Sequence, residues 1–474
     1  MKFSHPGPGE QLPQAGLGIG RFQQFHPYSA VVSYCLPACF NDGVSCCIPV
    51  HITIVYEGRG RPRALDGSNN PSDLITELCD ALLCTDGPVR TLVDLAVAPE
   101  HRRGHGALYG GLNQGRIEVA RLRRALASVP LPRAADGRTV LAADVSPWLR
   151  PDANTCPDRA FCHTFGRGGA KHQMIPGWPY QIVAALETGH TSWTAVLDAV
   201  RLQPGADVAA VTAVQFHEVV ERLVAVGQWK PGDPDVLVVL DAGYDAPRIA
   251  LLLSDLPVEV LGRLRSDRVM RKPAPVPWIS PPQGRRPPKH GGKFVFGDPA
   301  TWGAEQAVTV TDTRLYGKAT AQAWDRLHPR LTRRAAWMNH DGPLPIIEGT
   351  VIRLVVAKLP SGGVNKPLWL WWSGTAAAEA DLDRCWQSFL RRFDIEHMFR
   401  LFKQTLGWTR PRLRSSEAAD RWTWLVACGG GSGTCARRPA LRRVHRNRPA
   451  RGQAGHRARK TVARPPATPW AGSS

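Results

Sequence analysis

The chain has 474 residues, 43% of them hydrophobic, enough to bury a substantial core spread over two or three domains, which excludes a disordered protein. Lysine and arginine outnumber aspartate and glutamate by 60 to 40, and the net charge of +20 points to a polyanionic partner, of which nucleic acid is the commonest. Eleven cysteines without regular spacing and no clear secretory signal suggest reduced thiols in a cytoplasm. The most apolar early stretch, Ser29 to Tyr56, is broken by Asn41 and Asp42 and falls short of the ~20 uninterrupted apolar residues of a spanning helix, so a soluble protein without a membrane partner is expected.

Residues 1–72 are rich in Gly, Pro and Cys, show no sustained period, and read as either a poorly ordered leader or a small appendage. Residues 73–135 turn helical, with Leu74, Leu78 and Leu82 spaced by four and many arginines, among them Arg102, Arg103, Arg121, Arg123 and Arg124, which suggests a basic helical domain able to bind DNA. An α/β core begins with Thr139-Val-Leu-Ala-Ala-Asp144, a buried strand ending in an acid before Pro147, expected to break it. A strand at Gln181–Ala185 and a helix at Phe216–Val226 lead to Asp235-Val-Leu-Val-Val-Leu-Asp241, an apolar run suited to a central strand and again ending in an acid. A helix at Pro247–Leu253 and a strand at Val258–Arg263 complete a strand-helix-strand unit of a mostly parallel sheet, whose ligands usually bind at the carboxyl ends of the strands. The core's first part thus spans 136–270. Strand-like segments at Ala307–Val310, Lys318–Ala323 and Ile346–Leu359 make 271–366 a β-rich insertion, and 367–427 returns to the core with a strand, Lys366–Trp372, and one long helix from about Ala378 to Leu406. The tail, 428–474, holds eleven cations and no acid and is expected to be disordered.

The long helix carries two faces. Ile395, Phe399, Phe402 and Leu406 form one stripe, the pattern of a helix packed on a sheet. Phe389, Arg392, Glu396, Arg400 and Lys403 form another, one acid among three cations; as a surface ladder this would contribute a few tenths of a kcal/mol per pair. The strand-terminal acids Asp144 and Asp241 suggest instead that three carboxylates converge, a donor set suited to two hard divalent cations.

Other signals are weaker. The segment Val239–Asp245 lacks the further glycines of a dinucleotide site, and Gly166-Arg-Gly-Gly169 lacks the Lys-Ser/Thr of a phosphate loop and reads as a flexible turn. Cys35, Cys39, Cys46, Cys47 and His51, or Cys156, Cys162 and His163, lack the paired short spacings of a zinc site. Trp302 and Trp324 suit a small core better than a base-stacking platform.

Phe389-x₂-Arg392-x₃-Glu396-x₆-Lys403, with Asp241-Ala-Gly-Tyr244 and Asp144 in Ala-Ala-Asp-Val-Ser, resembles the insertion-sequence DDE transposases and their Tyr-x₂-Arg-x₃-Glu-x₆-Lys signature over residues 75–427, with Phe389 in place of the tyrosine. The resemblance implies a ribonuclease-H-like mixed sheet with flanking helices, interrupted by a β-rich insertion between the second Asp and the Glu and preceded by an N-terminal helical domain. It implies Asp144, Asp241 and Glu396 as catalytic metal ligands for two Mg²⁺, with Mn²⁺ able to substitute, and Phe389, Arg392, Arg400 and Lys403 as DNA contacts. The implied activity is cleavage and strand transfer of a mobile element by a bacterial protein, cytoplasmic and nucleoid-associated, that binds transposon ends and target DNA as a dimer. The alternatives are a ribonuclease-H-like nuclease without strand transfer and an inactive DNA-binding remnant.

Overall fold

The computed structural model describes residues 29–39, 45–55 and 88–431, with Leu78, Ala81, Leu82 and Thr85, apart from 99–104, 157, 166–171, 188–191, 278, 280–283, 285, 361 and 364. The glycine turn at 166–169, most of the leader and the tail from 432 lie outside the described residues. Within residues 1–72, β1 (Ser29–Cys39) and β2 (Ser45–Val55) pair as an antiparallel hairpin. The run Val50-His-Ile-Thr-Ile-Val55 is dense in β-branched residues, a local preference for strand that the segment's Gly, Pro and Cys content obscures.

Short helices α1 (Leu92–Ala96), α2 (His105–Gln114) and α3 (Val119–Ser128) precede β3 (Val140–Leu149), β4 (Ala160–Phe165), β5 (His172–Leu186) and β6 (Thr194–Arg201). Next come α4 (Val208–Ala225), β7 (Val236–Leu240), α5 (Ala246–Leu252), β8 (Val258–Leu264) and a small hairpin, β9 (Val269–Arg271) with β10 (Lys293–Val295). The chain continues through β11 (Ala307–Thr313), β12 (Gly317–Leu327), β13 (Gly349–Val356) and β14 (Leu368–Trp372) to α6 (Glu379–Arg391), α7 (Asp394–Arg400) and α8 (Ser416–Gly431). The last helix thus runs past Cys428, where the sequence suggests that helix stops. Among the described residues no helix is long and apolar enough to cross a membrane.

One mixed sheet has the order β11-β12-β13-β14-β8-β7-β3-β5-β4, and β6 pairs with the remaining length of β5. Strands β3, β7 and β8 are parallel, whereas β3, β5 and β6 are antiparallel neighbours, consistent with a ribonuclease-H-like core. Strands β11 to β13, within 271–366, extend this same sheet antiparallel through β14. Leu92, Leu95, Leu108, Leu112, Leu122 and Leu126 of the early helices share one core with Val140, Ala142, Leu237 and Val239 of the sheet and with residues of α6, α7 and α8. The opposite sheet face, with Leu141, Ala143, Val236, Val238 and Leu240, packs against Phe216, Val219 and Leu223 of α4 and Ile249 of α5.

Pro147 does not end β3, which continues to Leu149 with Pro147 opposite Pro179. Arg150 donates its backbone N–H to Pro176 across β5, so by two-residue alternation the nitrogen of Pro147 faces the other side, where pairing with β7 has ceased after Ala142. The anticipated single helix at 378–406 is likewise interrupted at Arg392 and Phe393, where N–H groups bond three residues back instead of four, and Leu401–Thr405 forms a π turn. Trp302 and Trp324 join Phe294, Phe296 and Trp369 in an aromatic cluster, with the Arg353 guanidinium 5.2 Å from the Trp302 ring centroid.

After the π turn, Gly407 adopts φ +69° where the chain passes under Val89, whose N–H donates to Thr405 O at 3.1 Å. A Cβ at Gly407 would stand 2.4 Å from the Val89 carbonyl oxygen, a backbone atom that cannot move aside alone. Gly407→Ala is therefore expected to destabilise the chain by more than about 1 kcal/mol in urea denaturation, and an unchanged midpoint would show that this crossing is not a constraint.

Candidate active site

The alternation of the central strands places the acids. Val140 and Ala142 of β3, and Leu237 and Val239 of β7, face the layer containing α6 to α8, so Asp144 and Asp241, two residues further along each strand direction, fall on that same face. Ala142 pairs with Val239 in the parallel register, and continuing it by two residues sets Asp144 beside Asp241. Leu240 pairs with Gly262 on the next strand, which sets Asp241 beside Arg263 in the same way. This row lies where β3 is parallel to β7 on one side and antiparallel to β5 on the other, at the carboxyl ends of the parallel strands, the usual place for a ligand in an open α/β sheet.

Glu396 on α7 completes the group through Arg392. One Nη of Arg392 lies 3.0 Å from Asp144 Oδ2, and the other lies 3.5 Å from Asp241 Oδ2 and 3.4 Å from Glu396 Oε1. All three acids are thus brought around a single guanidinium whose side chain is only 3% exposed. Its Cζ lies over the Phe393 ring, 5.3 Å from the centroid, and over that of Phe389, at 6.0 Å. Asp144 also accepts the Val145 N–H at 2.8 Å, a donor left free where β7 ends. Burial raises the Asp144 carboxyl above its usual range, against the pull of Arg392. Arg263 Nη1 approaches Asp241 Oδ1 at 3.6 Å, and that oxygen is buried without a hydrogen-bond partner.

The signature's cations divide. Arg400 is exposed, whereas Lys403 in the π turn is partly buried with its ammonium 5.9 Å from the Trp408 ring centroid; burial lowers its pKa, and Asp144 pulls the other way. Arg392 does not project from a DNA-facing stripe, and Phe389, 1% exposed, is a core side chain, which corrects the expectation of a surface contact for both. The tightened turn at Arg392 changes the helical phase, so a 100° projection through it misplaces the residues on either side.

Beneath the acids lies a buried polar network that the sequence reading missed. Gln181 of β5 donates to Gln215 Oε1 at 2.8 Å and accepts from the hydroxyls of Thr212, at 3.1 Å, and Tyr244, at 3.3 Å. Tyr244 ends the turn after Asp241, its N–H donating to the Asp241 carbonyl, and burial together with Asp144 pushes its phenol well above the usual range. Arg263 was also missed; its signal is its position two residues after Leu261 on the acids' face, which requires knowing that β8 neighbours β7.

Among the described residues no three His, Cys, Asp or Glu side chains stand close enough together to form a ready-made metal site. The carboxylates meet at the guanidinium instead of at one another. Their chemistry nevertheless fits a hard divalent cation: two carboxylates at one end of the sheet and a third on α7, all oxygen donors, with Asp241 Oδ1 buried and lacking a hydrogen bond.

A family model described as DDE superfamily endonuclease matches residues 64–330, more than half of the chain. The chain belongs to this family. The matched part of this DDE superfamily endonuclease includes Asp144 and Asp241 and stops short of Glu396. Among solved structures, the Mos1 transposase paired-end complex with left transposon end is similar at 17% identity, covering 43% of this chain and 60% of that one, with a TM-score of 0.16. The chain therefore spans less than two thirds of that structure's length. A search of curated proteins found no match.

Replacing Gln181 would leave Thr212, Gln215 and Tyr244 without their shared partner inside the core. Gln181→Ala is expected to lower stability by about 1–3 kcal/mol in chemical denaturation, the usual cost of stranding buried polar groups. A smaller loss than that of an exposed Gln→Ala control would show that the network contributes nothing.

Proposed function

We propose that this DDE superfamily endonuclease is a DNA transposase that cleaves the ends of a mobile element and joins them to target DNA, using Asp144, Asp241 and Glu396 as the ligands of two divalent cations. The observation that carries this reading is the meeting of these three carboxylates, from two parallel strands and one helix, around Arg392. The Phe-Arg-Glu-Lys spacing at 389, 392, 396 and 403, read as a variant of the Tyr-Arg-Glu-Lys signature, supports transposition over simple nuclease action.

Bound Mg²⁺, or Mn²⁺ in its place, would supply activation of water or a 3′-hydroxyl and charge neutralisation at the leaving oxygen. The chain's residues do the rest. Asp144 and Asp241 supply oxygens from rigid neighbouring strands, while Glu396 approaches from a helix and keeps about half its side chain exposed toward solvent. Arg400, exposed one helical turn beyond Glu396, is suited to a DNA phosphate. Lys403 adds positive potential beside Asp144. The excess of 20 positive charges suits DNA as the partner, and alignment of two element ends calls for a dimer on DNA. The site of action would be the bacterial cytoplasm, on the nucleoid.

Asp144→Asn, Asp241→Asn and Glu396→Gln are each expected to reduce Mg²⁺-dependent cleavage of element-end DNA by at least ~100-fold while DNA binding persists. Near-normal cleavage by any one variant would remove that residue from the triad, and cleavage without joining in a strand-transfer assay would leave a nuclease. Arg400→Ala is expected to flatten the dependence of log binding on log salt by about one unit, the signature of one lost phosphate contact. An unchanged slope would return Arg400 to the solvated surface.

A further inference from the structure

The guanidinium of Arg392 lies at a point that all three acids reach together. Its two terminal nitrogens take oxygens from Asp144, Asp241 and Glu396 at 3.0 to 3.5 Å, and no single cation could draw on the same oxygens without contesting that place. The Arg392 side chain is 3% exposed, whereas its partners keep 25% (Asp144), 33% (Asp241) and 50% (Glu396) of their side chains exposed, so the guanidinium is buried beneath acids that solvent still reaches. Its Nε is buried without a hydrogen-bond partner, so the guanidinium is held by the carboxylates and the two phenylalanine rings instead of by a full set of hydrogen bonds. The residue also stands at the break between α6 and α7, where the backbone bonds are of the shorter three-residue kind, so its position follows from a local turn and not from a continuous helix.

We propose that Arg392 is a resident counter-cation that competes with divalent metal for the carboxylates, so that metal enters only as the guanidinium withdraws from them. This rests on the reading of Asp144, Asp241 and Glu396 as metal ligands. The charge count supports it: three carboxylates carry three negative charges, two divalent cations already exceed them, and a retained guanidinium would add a like charge to a half-buried site that also holds Arg263 and Lys403. Arg392 is accordingly a positioning residue, which holds the acids in one arrangement and sets how readily metal binds.

The test is calorimetric titration of Mn²⁺ into the purified full chain and its Arg392→Ala, Arg392→Lys and Asp241→Asn variants, with thermal denaturation of each after chelation. Arg392→Ala is expected to bind Mn²⁺ at least about tenfold more tightly than the unaltered chain, the scale of effect that a like charge within a few ångströms exerts in a half-buried site. It should also melt lower after chelation and gain more on adding Mn²⁺. Arg392→Lys, a point charge that cannot span three carboxylates, should fall between the two, and is read alone if the alanine variant does not fold. Equal or weaker Mn²⁺ binding by the Arg392 variants, with binding abolished by Asp241→Asn, overturns the counter-cation role and leaves the metal reading standing. Binding by no chain, or binding that survives Asp241→Asn, overturns the metal reading and this inference with it.

Discussion

The parallel pairing of β3 with β7 governs the site. In a parallel pair the side chains of the two strands alternate in step, so residues that continue the same register also share a face. Here the register runs from Val140 opposite Leu237 to Ala142 opposite Val239, with these residues packed toward the carboxy-terminal helices. Two residues on, apolar packing gives way to Asp144 and Asp241. Their neighbours Ala143 and Leu240 point the other way, into the layer of α4 and α5, so a shift by one residue would bury both acids among apolar side chains and empty the site.

Two carboxylates fixed side by side, with a third above them, repel one another unless positive charge lies between. Arg392 supplies it from the helical layer, and the fork of its guanidinium reaches three acids where an ammonium would reach fewer. The break between α6 and α7 belongs to the same constraint, since Arg392 is buried while Glu396, four residues on, is half exposed. The π turn that follows brings Lys403 toward Asp144 and over Trp408.

The rest of the sheet serves as a platform. Strands β11 to β14 continue it beyond β8 under α6, and the Phe294, Trp324 and Trp369 cluster closes the far side. The amino-terminal helices fill the helical layer beside α8, with Arg421 donating to the Asn113 carbonyl at 3.0 Å. The Gln181 network ties β5 and α4 to the turn that carries Asp241.

The central strands were legible in the sequence because Val-Leu-Val-Val-Leu and Thr-Val-Leu-Ala-Ala are continuous apolar runs, each ending in an acid, a signal that needs no neighbour to be read. The core stripe of Ile395, Phe399, Phe402 and Leu406 was legible for the same reason, and all four are buried. Strands β4 and β6 were missed because each takes its place from β5, whose fifteen residues offer a single edge to both, and that pairing cannot be read from either segment alone. Helical projection also misread Arg392 and Phe389, since it assumes an unbroken helix and cannot know which face meets the sheet. The sequence by itself determined which residues carry charge at strand and helix ends. Only the tertiary structure decided which of them meet, because the proximity of Asp144, Asp241, Arg263 and Arg392 follows from strand order and register between segments far apart in the chain.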